Sequence, residues 1–229
     1  MSDLVSNKPI STSVGDYLKA IYSVAGTGSA STNALSERLS VAPASISSML
    51  VRLREMGFVD YEPYYGASLT ESGRREALRL VRRHRLIETF LLEHLGYPLT
   101  DLHEEAEALE HAVSDKFTER VAWSLGHPKH DPHGDPIPAA DGTLEEEEDK
   151  PLSESKPASR VRISRVEDRD NSTLSYLADR GLVPGKLLLI KEVRALDGVV
   201  TVEDEEGASH ALGHSLAGSI FATSLAERA

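Results

Sequence analysis

A proline-rich and then acidic stretch divides this chain into a part with helical periodicity and a part with strand periodicity. Residues 127–138 hold four prolines, which are too many for regular structure. Residues 139–159 include the acidic run 145–149 and almost no large apolar side chain, which predicts a flexible linker. We interpret the histidines of the proline-rich part as solvated loop residues rather than metal ligands, namely His127, His130 and His133.

The composition is that of a globular protein, with 40% hydrophobic and 27% charged residues. No apolar run approaches the ~20 residues that a membrane span needs, and the N-terminus lacks the basic and then apolar layout of a signal peptide. Cysteine is absent, which excludes a disulfide framework and thiolate metal ligands. These features predict a cytoplasmic protein without a membrane partner.

The net charge of −12 disfavours a nucleic-acid partner at first sight, but the charge is unevenly distributed. Residues 38–85 carry nine arginines against five acidic residues, whereas residues 100–158 carry sixteen acidic residues against five basic ones. A local basic region can bind phosphates while the whole chain stays acidic. The acidic segment needs cations, or spacing between its charges, to be tolerated.

The first 72 residues have the pattern of a winged helix-turn-helix, in which a helix pair is followed by a third helix and a β-hairpin. Capping residues, a proline at a natural first helical position and alternating apolar residues around a turn define its elements. These are a helix capped by Ser13, a helix over 33–39 capped by Thr32, a helix over 43–56 that begins at Pro43, a hairpin over 58–69, and a long helix from Thr70 to Gly96.

The residues between Thr100 and Gly126 predict a further helix, capped at the first and ended at the second, that carries potential metal ligands. His84 and Glu88 form an i, i+4 pair on the preceding predicted helix. Imidazoles and carboxylates from two helices can share a divalent cation, so we assign metal binding to residues 73–138; a solvated acidic face is the alternative. Four residues at positions i, i+4, i+7 and i+8 share one face: His103, Glu107, Glu110 and His111.

The last part of the chain has the short alternating strands and turn signals of a small β-barrel of roughly SH3 type. A helix is predicted over 172–180, and Asp197-Gly198 is a predicted hairpin turn. The fold class is therefore mainly α with a small β domain. Its predicted parts are a winged helix-turn-helix at 1–72, a helical domain at 73–138, a flexible acidic linker at 139–159 and the barrel at 160–229.

Several runs in this order resemble the diphtheria toxin repressor family of metal-dependent transcriptional regulators, in its three-domain form. Each run is weak evidence alone, but together and in sequence they are specific, and they cover nearly the whole chain. The last run resembles the FeoA-type variant of the SH3-like domain. The runs are 16–22, 41–47, 83–88, 103–111, 132–138 and 176–185.

The resemblance implies two metal sites and a helical domain that also forms a homodimer. One ion is expected at Asp16, Glu107, Glu110 and His111. A second ion is expected at His84, Glu88 and His103, joined by side chains of the SH3-like domain, for which Glu167 and Asp170 are the candidates.

The residue types at two of these positions bear on the metal. Iron-responsive members carry sulfur ligands where this chain has Asp16 and Glu107. Oxygen ligands favour Mn²⁺, so we expect manganese, with Fe²⁺ as the alternative. Two-domain manganese regulators place a second acid where this chain has Lys19, and this departure favours two separated sites over a bridged cluster.

The helix from Pro43 is the expected reading helix, because such helices meet base edges and phosphates at their N-terminal ends. Small side chains there suit close approach to thymine methyls and phosphates, and ordinary helix surface is the alternative interpretation. The candidate contacts are Ala44, Ser45, Ser47 and Ser48 on this helix, with Arg52, Arg54 and the wing residues Tyr64 and Tyr65 as backbone contacts.

These observations predict a homodimeric, metal-activated regulator, expected to be a repressor, that binds a palindromic operator in double-stranded DNA. Two other classes stay open. A metallohydrolase would use His103, Glu107 and His111, but position 107 is glutamate and no His-Glu-x-x-His motif is formed. A metal-buffering module would explain the acidic stretch but would leave the helix-turn-helix without a role.

Overall fold

The computed structural model describes residues 10–26, 28–145, 148–167 and 171–225. The chain divides into two compact units, one of Met1–Arg83 with Pro138–Thr143 and one of His84–Ile137 with Leu144–Ala229. Within the described residues, no helix combines the length and the apolar character that crossing a membrane requires.

The first unit contains a winged helix-turn-helix, as predicted. Its core is formed by fully buried aliphatic side chains, among them Leu18, Ile21, Ile46 and Leu50. Its elements are α1 (Thr12–Ala25), α2 (Thr32–Leu39), α3 (Pro43–Glu55), β1 (Val59–Glu62), β2 (Gly66–Leu69) and the first part of α4 (Glu71–Leu95).

The helix starts in this unit differ slightly from the prediction. The Ser11 hydroxyl accepts a hydrogen bond from Val14 N at 3.4 Å, so α1 begins earlier than a cap at Ser13 would allow. The cap of α2 is Ser31 instead of Thr32, and its hydroxyl accepts from Ala34 N at 3.1 Å. In both cases consecutive hydroxyl residues, Ser11-Thr12-Ser13 and Ser31-Thr32, compete for one cap position, and the sequence does not rank them.

The hairpin gains an extension that the sequence did not indicate. Strands β1 and β2 pair antiparallel, with Val59 opposite Leu69. Ala30, in the loop before α2, forms an isolated antiparallel bridge with Ala67, with backbone hydrogen bonds of 2.8 and 2.9 Å. This bridge connects the loop before α2 to strand β2. The strand β2 is therefore hydrogen-bonded both to β1 and to Ala30.

The helical part of the second unit contains the rest of α4, a 3-10 turn at Leu99–Asp101, α5 (Leu102–Glu110) and α6 (Asp115–Ser124). The single helix predicted between Thr100 and Gly126 is therefore wrong, because the chain breaks after α5. Ser114 accepts a hydrogen bond from Phe117 N at 3.2 Å and so caps a new helix. Thr100 does not cap α5: its hydroxyl donates to Asp101 Oδ1 at 2.9 Å.

The proline-rich segment is an ordered turn rather than a solvated loop. Ile137 N donates to Lys129 O at 2.7 Å, and Asp131 N donates to Asp135 O at 3.0 Å. His133 is fully buried, which contradicts the interpretation of this histidine as solvated, whereas His127 and His130 are exposed. Prolines at the turn positions remove donors that a compact turn cannot use, so they are compatible with order here.

The C-terminal part of the second unit is a six-stranded antiparallel sheet in the order β3-β8-β4-β5-β6-β7. The predicted short strands and the helix predicted over 172–180 are present, while β3 and α8 were not predicted. The elements are β3 (Lys150–Pro151), a 3-10 turn at Leu152–Glu154, β4 (Arg160–Val166), α7 (Asn171–Asp179), β5 (Leu187–Val193), β6 (Val200–Asp204), β7 (Ser209–Leu212), α8 (His214–Gly218) and β8 (Ile220–Ser224).

The acidic linker is shorter than the sequence indicated. Leu152 is fully buried in the core of this sheet, together with Val161, Ile163 and Leu188. Lys150 and Pro151 pair with β8. Leu152 is a single large apolar residue among proline, serine and charged residues and gives no periodicity, so this attachment to the sheet could not be predicted from the local sequence.

The proline-rich turn packs closely on β4. Val166 N donates to His133 O at 2.9 Å. Gly134 has φ +91°, and a Cβ at this position would overlap the carbonyl group of Ser164. The turn and the strand are therefore in direct backbone contact, which only glycine permits at this point.

This contact predicts that Gly134→Ala is markedly destabilising. Added atoms that a packed site cannot accommodate cost about 1–3 kcal/mol, and a left-handed conformation adds about 1 kcal/mol for a side chain. Gly185→Ala is the matched control, because Gly185 has φ +92° and a Cβ added there would meet nothing within 4 Å. Thermal unfolding followed by circular dichroism should show the larger loss for Gly134→Ala; equal losses would contradict the close contact.

Candidate metal centre and nucleic-acid surface

Three side chains of the second unit converge between α4 and α5. His84 and Glu88 lie one turn apart on α4, and His84 Nε2 is 3.0 Å from Glu88 Oε1. His103, on the first turn of α5, places Nδ1 3.2 Å from His84 Nε2 and 3.7 Å from Glu88 Oε1. One ligand atom from each lies within 4.8 Å of the other two, which is the arrangement that a single cation requires.

The opposite side of the His84 ring faces two more of the predicted ligands. His84 Nδ1 is 2.7 Å from Glu110 Oε2 and 3.7 Å from Glu107 Oε2. Glu110 is fully buried, and its other oxygen is 3.1 Å from His111 Nε2. Both ring nitrogens of His84 thus face carboxylates, Nδ1 facing Glu110 and Nε2 facing Glu88. If an ion binds at Nε2, the Nδ1–H group can still donate to Glu110 and orient the ring.

A third group was missed by the sequence reasoning. Glu88, Asp131 and His133 also place ligand atoms within 4.8 Å of one another, and all three are buried. Within the described part of the chain, neither ring nitrogen of His133 has a hydrogen-bond partner. Its Nδ1 is 4.0 Å from Glu88 Oε2. The spacing Asp-x-His was visible in the sequence, but its approach to Glu88 depends on tertiary structure.

The buried carboxylates are strongly influenced by their surroundings. Burial alone would raise the pKa of Glu88, but the charge of His84 and hydrogen bonds from His103 and His84 bring it well below its usual range. The pKa of Asp131 is raised by burial and by the nearby charges of Glu88 and Asp135, against the opposing effect of Arg85. A cation near Glu88 and Asp131 would offset the repulsion between these two carboxylates.

Arg85 holds the proline-rich turn in place. Its Nη1 donates to Pro136 O at 2.5 Å, while its Nε is 3.4 Å from Asp131 Oδ2 and its Nη2 is 3.5 Å from Asp135 Oδ1. Asp131 Oδ1 in turn accepts from the backbone N–H groups of His133 and Asp135, both at 2.9 Å. The guanidinium therefore fixes the segment that carries His133.

The remaining predicted ligands are not part of these groups in the second unit. Asp16 is half-buried on α1 of the first unit, and its role as a ligand stays a prediction. Glu167 follows β4 and donates its backbone N–H to Ser219 O at 2.9 Å; of the described residues, it joins none of the potential ligand groups. Asp170 lies outside the described residues.

The predicted DNA-contacting residues lie on α3 and the hairpin. At the start of α3, Ala44, Ser45 and Ser48 are exposed and Ser47 is half-buried. Arg52 and Arg54 are exposed near the end of α3, and Arg54 Nη1 donates to Tyr61 O at 3.4 Å. The Tyr64 and Tyr65 side chains are 105% and 78% exposed. None of the three exposed residues at the start of α3 contributes to the core, so this surface is available for a partner.

Three family models match the chain in the order of its domains. They describe the N-terminal DNA-binding domain of iron-dependent repressors at residues 9–67, the metal-binding and dimerisation domain of iron-dependent repressors at residues 70–139, and the FeoA domain at residues 150–224.

Two curated relatives illustrate the range of similarity. An uncharacterised helix-turn-helix-type transcriptional regulator of Methanocaldococcus jannaschii is 39% identical over 114 residues, which are 49% of this chain and 91% of that protein. The iron-dependent repressor of Mycobacterium leprae is 26% identical over 232 residues, covering 94% of this chain and 98% of that protein.

A solved structure of a manganese-dependent transcriptional repressor in complex with manganese is 39% identical to this chain. Its TM-score is 0.87, with 93% of this chain and 100% of that chain covered. The chain belongs to the diphtheria toxin repressor family. Members of this family are metal-dependent, DNA-binding transcriptional regulators and not enzymes, so the predicted function class is confirmed and the hydrolase alternative is removed.

The position of Arg85 predicts that Arg85→Gln destabilises the protein by about 1–3 kcal/mol, because Asp131 would remain buried without its cation. Arg75→Gln is the control, since Arg75 pairs with Glu71 on the same helix but their side chains are 61% and 92% exposed. That exposed pair contributes little. Urea unfolding of the metal-free protein checks both; an Arg85 variant as stable as the control would show that the turn is held by other contacts.

Proposed function

We propose that this regulator is a manganese-activated repressor that binds a palindromic operator as a homodimer, and that His84, Glu88 and His103 hold one of its activating ions. The observation that supports this most directly is their convergence within 4.8 Å between α4 and α5, where His84 and Glu88 are buried and His103 is half-buried. Buried imidazole and carboxylate groups of this kind are usually paired or bind metals. The proposed role as a DNA-binding regulator implies a cytoplasmic location.

The choice of manganese rests on the chemistry of the ligands. The proposed ligands offer only nitrogen and oxygen, and the chain has no cysteine. Oxygen-rich sites suit Mn²⁺, while sulfur ligands favour softer ions. The similar solved repressor is described as manganese-dependent, whereas relatives such as the mycobacterial repressor are described as iron-dependent. Fe²⁺ is therefore the alternative ion.

The second proposed set follows the family resemblance. It comprises Glu107, Glu110 and His111 of the second unit together with Asp16. Glu107 is half-buried and Glu110 fully buried on successive turns of α5, so without a cation their charges would repel one another and that of Glu88. A cation offsets this repulsion and stabilises the conformation that binds DNA.

The coupling between metal and DNA is reciprocal. If metal increases the affinity for the operator by some factor, then operator DNA increases the affinity for metal by the same factor. Acidic pH should weaken both, because protons compete with the ion for histidine nitrogens. A regulator of this kind responds to the free metal concentration and represses only when the ion is available.

The proposal predicts metal-dependent retention of a palindromic sequence from a library of short duplexes. Wild-type protein with Mn²⁺, anaerobic Fe²⁺, Zn²⁺ or no metal would be compared at fixed salt, together with Glu107→Ala, His103→Ala and Glu104→Ala. Retention should require metal, fall at least tenfold in the first two variants, and persist in Glu104→Ala, an exposed glutamate on the same helix. Equal retention without metal would refute activation by metal, and no retention under any condition would leave the metal-buffering alternative.

The wing predicts a second effect on DNA binding alone. Tyr64→Ala should weaken operator binding by a few-fold to tenfold, because an exposed ring that packs on the sugar–phosphate backbone contributes affinity without sequence information. It should leave thermal stability unchanged, since the ring has no buried surface. Leu196→Ala is the control, because Leu196 is fully exposed on the β5–β6 hairpin. Fluorescence anisotropy measures both, and an unchanged affinity for Tyr64→Ala would exclude the wing from the interface.

A further inference from the structure

We propose that Ser29 is a positioning residue for DNA binding, because its hydroxyl holds the tip of the wing in the conformation that presents Tyr64 and Tyr65 to the duplex. The wing tip is the turn at residues 63–65, between β1 and β2. This inference deepens the proposed function, since it rests on contact between the wing and the DNA backbone. It adds a role in DNA binding for the loop before α2, which contains none of the predicted contacts.

Tyr64 has a strained backbone. Its φ is +71°, in the left-handed region that residues with a bulky side chain rarely adopt. Tyr65 N donates to Glu62 O at 3.1 Å, which closes a four-residue turn. Pro63 and Tyr64 are the central residues of this turn. A turn with proline first and a positive φ second favours glycine or asparagine at the second position, so turn chemistry does not explain a tyrosine there.

Packing does not explain the tyrosine either, because Tyr64 is fully exposed and Tyr65 is mostly exposed. A strained residue persists only when its surroundings hold it, and such residues cluster at functional sites. The wing lies within residues 9–67, which match the DNA-binding domain of the family. Two exposed rings at its tip offer flat surfaces that can pack on the sugar–phosphate backbone. DNA binding is therefore the function that the strain at Tyr64 serves.

Ser29 fixes the wing tip from outside the hairpin. Its hydroxyl donates to Tyr65 O at 2.9 Å. The next residue, Ala30, forms the antiparallel bridge with Ala67 of β2. The loop before α2 therefore holds both the end of the turn and the strand that follows it. Without the hydroxyl, the bridge alone would hold β2, and the turn would lose the contact nearest to the strained residue.

Gly66 makes this close approach possible. It has φ +96°, and a Cβ added to it would lie 2.5 Å from Ser29 Oγ and 2.6 Å from Ala30 O. Any larger residue would push the loop away from the hairpin, so only glycine is compatible with the hydrogen bond and the bridge together. The contact between Ser29 and the wing tip is therefore part of the backbone packing of this domain.

A wing tip that is held in one conformation binds DNA more tightly than one that must be ordered during binding. Loss of the Ser29 hydroxyl would let Tyr64 relax to a backbone conformation with negative φ, which would redirect its ring. Ser29 therefore acts on DNA through the tyrosines. This distinguishes it from a residue that contacts DNA itself, because its effect must disappear when the rings are absent.

Fluorescence anisotropy of the full chain with Mn²⁺ tests this role on two labelled duplexes. One is the palindrome retained by the wild-type protein, and the other is a mixed-sequence duplex at low salt, which reports phosphate contacts alone. Ser29→Ala removes the hydroxyl and Ser29→Thr keeps it. Ser29→Ala is also combined with a wing without rings, which carries Tyr64→Gly and Tyr65→Ala. Ser23→Ala is the matched control, since Ser23 is an exposed serine on α1.

Ser29→Ala should weaken binding to both duplexes by about twofold to tenfold, which corresponds to the loss of one net hydrogen bond. Ser29→Thr and Ser23→Ala should bind as the wild type does. In the wing without rings, Ser29→Ala should cause no further loss, a result that a general folding defect would not produce. Tyr64→Gly alone should unfold at no lower a temperature than the wild type, because glycine relieves the strain at this position.

The outcomes separate this inference from the proposed function. Unchanged binding by Ser29→Ala, or an equal loss in the wing without rings, would overturn the inference. Tyrosine changes without effect on either duplex would also remove the wing from the proposed interface. If the wild type retains no palindrome but Ser29→Ala weakens binding to the mixed-sequence duplex, the positioning role stands and operator-specific repression is removed. A lowered unfolding temperature in Ser29→Ala without recovery in Ser29→Thr would overturn the inference in favour of a folding defect.

Discussion

The burial of two carboxylates on either side of one imidazole is the constraint on which the second unit depends. Glu88 and Glu110 are 1% and 0% exposed, and both lie within 3.0 Å of the His84 ring. Removing a carboxylate from water costs several kcal/mol unless charge and hydrogen bonds compensate for it. The packing of α4 against α5 is therefore not only hydrophobic: it must keep histidine nitrogens at fixed positions around these groups.

The surrounding aliphatic clusters supply that rigidity. Leu86 packs with Val121 and Ile137, while Ile87 and Leu91 pack with Leu102 and Ala106 of α5. These neighbours flank the polar residues on α4, so the same helix presents apolar contacts and ligands on adjacent faces. The proline-rich turn completes the enclosure through Arg85, which joins the backbone of Pro136 to the carboxylates of Asp131 and Asp135. Side-chain contacts thus hold this segment against α4, although it contains no helix or strand.

The sequence predicted what depends on local pattern and missed what depends on distant contact. The pairing of His84 with Glu88 follows from helical spacing alone, and the helical stripe through His103 and Glu107 was equally readable. The break before α6 was missed because Ser114 becomes a cap only when the preceding turn leaves the helix. His133 was misjudged because its burial depends on contacts of its turn with Arg85 and with β4. Arg85 lies 48 residues earlier in the sequence and β4 begins 27 residues later, so the local sequence around His133 does not indicate these contacts.

The two ring nitrogens of His84 explain how neighbouring ligand sets can remain distinct. A neutral imidazole offers one lone pair, so it can serve either the Nε2 side, with Glu88 and His103, or the Nδ1 side, with Glu107 and Glu110. The shortest contact is 2.7 Å, from Nδ1 to Glu110, and a hydrogen bond there commits Nε2 to the first side. Glu110 then has two roles. It is a proposed metal ligand, and it accepts the hydrogen bond that orients the His84 ring. This argues for separated sites on the two sides of the ring, because a cluster bridged at Nδ1 would have to displace the hydrogen bond that positions the histidine.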